Sequence, residues 1–146
     1  MRPAVLVKNT DSLEAVLRKM VEEKRNSLTV VDGNGVFVGA VNAIDVIRAA
    51  LPDYLEDDQT AARFADSSLL EEEIKKNKDL PVSEFMAKDI PAITAKTRIV
   101  EAMVIALQKG RGRITVVDDE KKPIGVLTRT EMKRVIASYV GIKESS

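Results

Sequence analysis

The sequence predicts an α/β (α+β) fold written twice: two β-α-β-β-α units, related by a pseudo-twofold axis and packed sheet to sheet, with a helical insert between them. Three observations carry this. The stretch LTVVDGNGVFVGAVNAIDVIR at 28–48 lies over ITVVDDEKKPIGVLTRTEMKR at 114–134 with a constant offset of 86, and the alignment runs without a gap from 11–50 to 97–136. Within each copy the apolar residues switch between helical spacing and β-branched runs. Residues 51–81 have no counterpart elsewhere in the chain.

Each copy opens on a short strand, AVLV at 4–7 or PAIT at 91–94. A helix follows, with its apolar stripe at Leu13, Val16, Leu17, Met20 and Val21 in the first copy. The second copy has Ile99, Ala102, Met103, Ala106 and Leu107 at the same spacing, that of a helix lying on a sheet. Asp11, with Glu14 one turn on, reads as the cap of the first helix and Thr97 as the cap of the second. Next come paired strand runs, LTVV with VFVGAV and ITVV with PIGVL. They are joined through Asp32-Gly33-Asn34-Gly35 and Asp118-Asp119-Glu120-Lys121, so each pair reads as an antiparallel hairpin. A final helix ends each copy, at about 43–51 and 129–140. Neither copy is large enough to hide its sheet comfortably alone, so the two are expected to share a core and to leave a cleft at either end. In the insert, PDYLEDDQ reads as a loop and TAARFA and LLEEEIKKN as two short helices. The second of these carries Ser68 and Glu71 as a capping box, with Glu71–Lys75 and Glu72–Lys76 pairs along it. A covering helical hairpin and a lid or partner surface both fit the insert, the first being the usual meaning of such a charge run. The organisation is therefore repeat one at 1–50, insert at 51–81 and repeat two at 82–146.

Composition narrows the function. The 146 residues are 45% hydrophobic and 32% charged, with basic and acidic residues balanced at 23 each, a globular composition with no global attraction to nucleic acid or an anionic membrane. The longest apolar run is 102–107 and the N-terminus has no signal pattern, so no membrane insertion and a cytoplasmic location are expected. Cysteine and histidine are both absent, which removes disulfides, thiol nucleophiles, imidazole acid–base chemistry and the usual zinc sites. No nucleophile–base pair, paired catalytic carboxylates or phosphate loop is found, and an enzyme is not expected.

The segment VSEFMAKDIPAITAKTRIVEAM and the motif ITVVDDEKKPIGVLTRTEM resemble the CBS domain, and two copies in matching register resemble the tandem pair called a Bateman module. In the first segment the match is a small helix, a proline-containing strand and a long helix; in the second it is the hairpin followed by Gly-apolar-apolar-Thr/Ser-x-x-Asp. The resemblance implies a regulatory module that dimerises as a disc and binds an adenosine compound between its copies, such as AMP, ADP, ATP or S-adenosylmethionine. It implies no obligatory cofactor, and a regulated enzyme or transporter as partner; a ligand-free dimerisation module is the alternative. The equivalent of VSEFM would precede residue 1, so copy one is expected either to lack that small helix or to belong to a longer polypeptide.

The candidate site residues follow from matching this motif. Thr128 and Glu131 form a Thr-x-x-Glu capping box as written, and Asn42 with Asp45 is the copy-one equivalent; capping alone explains both pairs. The same geometry suits a ligand, because a helix N-terminus attracts phosphate and a carboxylate one turn in can accept both hydroxyls of a ribose. Asp45 and Glu131 thus stand at the family's ribose positions, and Asn42 and Thr128 at its hydroxyl position. Copy one has Asn in place of Thr or Ser, and copy two lengthens Asp to Glu. In KGRGR at 109–113, Gly110 reads as a helix C-cap, while Arg113, with Arg129 in the motif, offers donor forks to phosphate. Their copy-one equivalents, Ser27 and Ala43, are uncharged, which favours the second site for a charged ligand. The base is expected against strand residues Val7, Leu28, Ile93 and Ile114, with Thr94 nearby. Without an aromatic platform the affinity should be on the order of micromolar. Thr29 and Thr115, where many family members carry proline, complete the set as sheet residues.

Overall fold

The computed structural model describes residues 1–143 of the chain, so the last three residues of repeat two lie outside the described residues. Copy one contains β1 (Leu6–Lys8), α1 (Leu13–Glu23), β2 (Ser27–Val31), β3 (Phe37–Asn42) and α2 (Ala43–Ala50). The insert contributes α3 (Gln59–Phe64) and α4 (Ser67–Asn77), preceded by a 3-10 turn at Asp53–Leu55. Copy two contains β4 (Ala92–Thr94), α5 (Ile99–Lys109), β5 (Arg113–Val117), β6 (Pro123–Thr128) and α6 (Arg129–Tyr139), after a 3-10 turn at Val82–Glu84. Two three-stranded sheets result, in order β1-β2-β3 and β4-β5-β6, each with one parallel and one antiparallel pairing.

The copies coincide to the level of single hydrogen bonds, and this corrects the expected caps. Asp11 Oδ2 accepts from Lys8 N–H at 2.9 Å, and its equivalent Thr97 Oγ1 accepts from Thr94 N–H at 3.3 Å. Both side chains therefore turn back to close the strand-to-helix corner, and the cap falls one residue later. Ser12 caps α1 by accepting from Ala15 N–H at 3.1 Å, whereas α5 starts at Arg98 with no side-chain cap. In the insert Asp66, rather than Ser68, caps α4, because Ser68 N–H donates to its carboxylate at 2.9 Å. The Glu71–Lys75 pair does form, at 3.0 Å.

The apolar core divides in two instead of forming one shared slab. Val7, Leu13, Val16, Met20, Leu28, Val30, Val41, Val46 and Val82 bury one face of the first sheet under α1 and α2. Ile93, Ala102, Ile114 and Val116 do the same in copy two. The opposite sheet faces, turned toward each other, bury Thr29, Ala40 and Thr115. The alternation of β-strands explains the split, since neighbours along β2 and β5 must face opposite ways. The insert packs α4 on α2, with Asn77 Nδ2 donating to the Ala49 carbonyl at 3.0 Å. Its end also serves α1: the carbonyls of Leu80 and Lys78 accept the otherwise orphaned N–H groups of Leu13 and Glu14 at 2.9 and 3.0 Å. Within these residues the insert acts as a cover.

Each copy lends a segment to the other. Val82, Phe85 and Met86, just ahead of copy two, pack in the core of copy one. Ala87 then pairs with Ala40 of β3 through two backbone bonds of 2.8 and 3.0 Å, while Arg2 pairs with Val126 of β6 through bonds of 2.9 and 2.8 Å. The glycine shared by the repeats, Gly39 or Gly125, makes each crossing fit. A β-carbon on Gly39 would meet the Ala87 carbonyl oxygen at 2.5 Å, and one on Gly125 would meet the Arg2 carbonyl oxygen at 2.8 Å. Backbone cannot yield as a side-chain end can. Gly39→Ala is therefore expected to lower stability by about 1–3 kcal/mol, the usual range for overpacking, in a urea unfolding titration. Gly33→Ala, whose β-carbon would meet nothing within 4 Å, serves as the neutral control.

Candidate functional site

Strand register brings the candidate residues together. In β2–β3 the terminal pair is Ser27 with Asn42, and in β5–β6 it is Arg113 with Thr128, so the base-bearing position and the helix cap face each other across each hairpin end. The two hairpin ends meet at a cavity of about 620 Å³ lined from both copies. From copy one come Asn26, Ser27, Ala40 and Asn42; from copy two come Arg111, Gly112, Arg113, Thr115, Thr128 and Arg129; Arg2 closes one side. The expected pair of end clefts is thus continuous across the pseudo-twofold axis in its main cavity.

Both caps are reciprocal boxes. Asn42 N–H donates to Asp45 Oδ2 at 2.9 Å and Asp45 N–H donates to Asn42 Oδ1 at 3.0 Å. Thr128 N–H donates to Glu131 Oε2 at 2.8 Å, and the Thr128 hydroxyl bonds to the same oxygen. The second carboxylate oxygen of each box meets an arginine. Asp45 Oδ1 lies 3.6 Å from Arg48 Nη1 on its own helix, and Glu131 Oε1 accepts from Arg2 Nε at 3.0 Å. Both carboxylates stand behind their caps, each side chain 12% exposed.

The remaining candidates separate into two groups. Thr115 lines the cavity, and Thr29 lies on the equivalent sheet face, buried, with its hydroxyl lacking a hydrogen-bond partner. Val7, Leu28, Ile93 and Ile114 are placed in the helix-side cores, away from the cavity wall. Thr94 belongs to the corner after β4, its hydroxyl accepting from Lys96 N–H at 3.3 Å. The sequence reading missed Arg2 and Arg25. Arg25 carried a signal, because it coincides with Arg111 at the repeat offset of 86. Arg2 carried none, since it precedes the aligned region and reaches the site only through the exchanged segment.

Positive charge dominates the cavity. Arg2, Arg111, Arg113 and Arg129 line it, and among the described residues no acidic residue does. Burial and the like charges of Arg25 and Arg2 lower the Arg113 pKa from its ordinary value, with Glu131 acting the other way. A guanidinium stays protonated at neutral pH even so, and a crowd of them is an anion site in waiting. Arg129 lies across Gly112 so closely that any β-carbon there would collide with it. Gly110, at φ 63°, ends α5 as its C-cap and turns the chain into this corner. Lys109 faces elsewhere, bonding Asp89 at 3.4 Å. Among the described residues no group of acidic side chains is placed to hold a metal ion.

Burial acts to raise the Glu131 pKa, but hydrogen bonds from the Thr128 hydroxyl, from the Glu131 and Thr128 backbone N–H groups and from Arg2 outweigh it and lower the value to about 2 from an ordinary 4.5. A depressed carboxyl stabilises the fold above its unfolded pKa, and that contribution is lost as pH falls through the folded one. Glu131→Gln is accordingly expected to melt below wild type at neutral pH. The gap should narrow below pH 4.5 and close near pH 2, in thermal melts followed by circular dichroism.

Comparison with known proteins places this geometry. The chain matches the CBS domain family over residues 1–52 and 82–138. CBSX2, a chloroplastic CBS domain-containing protein of Arabidopsis thaliana, is 27% identical over 135 residues, 88% of this chain and 57% of its own length. An uncharacterised 17.7 kDa protein of Acidianus ambivalens is 21% identical over 131 residues, 90% of this chain and 66% of its own. The chain thus spans less than two thirds of the length of these curated relatives. The structure of CBSX2 in complex with AMP superposes with a TM-score of 0.69 at 26% identity, covering 96% of this chain and 94% of that one. The CBS domain pair of protein MJ0100 in complex with 5′-methylthioadenosine and S-adenosyl-L-methionine shares the fold, with a TM-score of 0.66 at 14% identity, covering 95% of this chain and 92% of that one. With two matched segments, two equivalent sheets and one cavity between them, the chain belongs to the CBS-domain family as a tandem pair.

Proposed function

We propose that this chain is a regulatory module that binds an adenine nucleotide between its two CBS repeats and passes the binding event to a partner protein or domain. The observation that carries the reading is the cavity of about 620 Å³ that gathers both helix caps and four arginines with no acid on its wall among the described residues. Such a wall suits phosphate, and a carboxylate behind each cap suits a ribose diol. CBSX2 holds AMP on the same fold. The charge asymmetry, Arg113 and Arg129 against Ser27 and Ala43, supports a reading with the phosphates on the copy-two side. A solution homodimer accompanies this reading. Leu107 and Ile136 are 82% and 59% exposed, and with Met103, Ala106 and Met132 they edge an apolar groove between α5 and α6. Apolar surface of this kind on a small protein marks an interaction site. The location is read as cytoplasmic; among the described residues no helix is long and apolar enough to cross a membrane.

One observation favours a second reading, a dimerisation module without ligand: Arg2 holds the carboxylate that a ribose would need. The two readings part in a thermal-shift panel with AMP, ADP, ATP, NADH and S-adenosylmethionine, because a ligand that binds only the folded state raises the melting temperature by mass action. The nucleotide reading expects a rise of several degrees with at least one phosphorylated compound, and a flat panel overturns it. Arg113→Ala is expected to cost such a ligand roughly tenfold to a hundredfold in affinity, the worth of a charged hydrogen bond. The same change should leave the unliganded melting temperature level or raised, because it relieves like-charge repulsion. For the dimer, Leu107→Glu combined with Ile136→Glu is expected to give a folded monomer in sedimentation velocity.

A further inference from the structure

Arg2 is held at two places, both in copy two, once through its backbone and once through its side chain. Its backbone pairs with Val126 beside β6, through bonds of 2.9 and 2.8 Å. Its Nε donates to Glu131 Oε1 at 3.0 Å, and the side chain also lines the cavity. Glu131 Oε2 is taken by the Thr128 cap, so Oε1, the oxygen left for a ligand diol, is the one Arg2 occupies. In copy one the corresponding partner comes from the same helix: among the described residues Asp45 Oδ1 meets Arg48 Nη1, at the longer distance of 3.6 Å.

A neutral diol that displaced Arg2 would leave a guanidinium without its counter-charge among three other arginines, on a wall to which the described residues contribute no acid. A ligand that brings an anion with the diol removes that penalty, because the released guanidinium finds a phosphate within the same cavity. We propose, resting on the nucleotide-binding reading above, that Arg2 sets the ligand class of this cavity: it holds Glu131 until a phosphorylated nucleoside arrives, then gives the carboxylate to the ribose and takes the phosphate. Nucleosides without phosphate, and the cationic sulfonium of S-adenosylmethionine, are disfavoured by the same exchange. Because residues 1–2 lead directly into β1, the exchange also ties occupancy of the copy-two side to the first strand of copy one.

Isothermal titration of the full chain and of Arg2→Gln with adenosine, AMP and ATP tests this. The expected result is crossed: Arg2→Gln binds AMP and ATP roughly tenfold more weakly, the loss of one charged hydrogen bond, and binds adenosine more tightly than wild type because Glu131 is released. A merely structural role would weaken all three together. If wild type binds AMP or ATP and the variant shows no crossed response, the exchange is overturned and the nucleotide reading stands. If wild type binds none of the three, both fall. Should Arg2→Gln melt early, Arg2→Lys carries the same test. It keeps the charge but lacks the planar fork, so its AMP affinity should lie between those of wild type and Arg2→Gln, and AMP affinity no different from wild type would overturn the exchange.

Discussion

The structure depends on two close approaches of backbone to backbone. At Gly39 the Ala87 strand crosses β3, and at Gly125 the Arg2 strand crosses β6, each with its pair of hydrogen bonds. A side chain at either glycine would hold the crossing segment off and break both bonds. These crossings fasten each copy to a piece of the other. They also hold the hairpin ends together, so that Asn42 and Thr128 come to line one cavity. Backbone pairing therefore does here what a shared apolar core was expected to do. Thr29, Ala40 and Thr115, with Val126 opposite Thr115 in the register, then fill the space between the sheets.

The same corner of each repeat holds a helix start and borders the cavity. A helix start must satisfy its free N–H groups, and the Asn42–Asp45 and Thr128–Glu131 boxes do so. In doing so they fix two carboxylates, each with one oxygen committed to the cap and the other turned toward an arginine. Against this ordered background Arg113 sits at a cost, its pKa lowered first by burial and then by the like charges of Arg25 and Arg2. Folding alone gives no reason to crowd like charges around a cavity, whereas an anionic ligand does.

Much of this was legible because the repeat is strict. Leu13 and Val16 are wholly buried and Ala102, the equivalent of Val16, nearly so, as the helical spacing implied, whereas Val21 and Leu107, the last of each stripe, are exposed; the β-branched runs form the strands in the expected order. The helix caps at Asn42 and Thr128 were readable because a capping box is local, involving residues only three apart. Asp11 and Thr97 misled for the same reason. Their side chains had two local choices, the helix start and the strand end, and tertiary closure of the corner selected the second in both copies. Val7, Leu28, Ile93 and Ile114 were candidates for the cavity, yet strand alternation can be counted from sequence while its phase cannot. Which set faces the helices is decided only when α1 and α5 dock.

By itself, then, the sequence determined the duplicated architecture, the helix and strand types and the two caps, because each rests on short-range periodicity or on comparison of one copy with the other. Only the tertiary structure decided that residues 82–87 serve copy one, that Arg2 serves copy two, and that one continuous cavity joins both hairpin ends. Those features come from pairings between residues as far apart as Arg2 and Glu131. No periodicity encodes such contacts; they follow from the space left when two sheets are fastened together at two glycines.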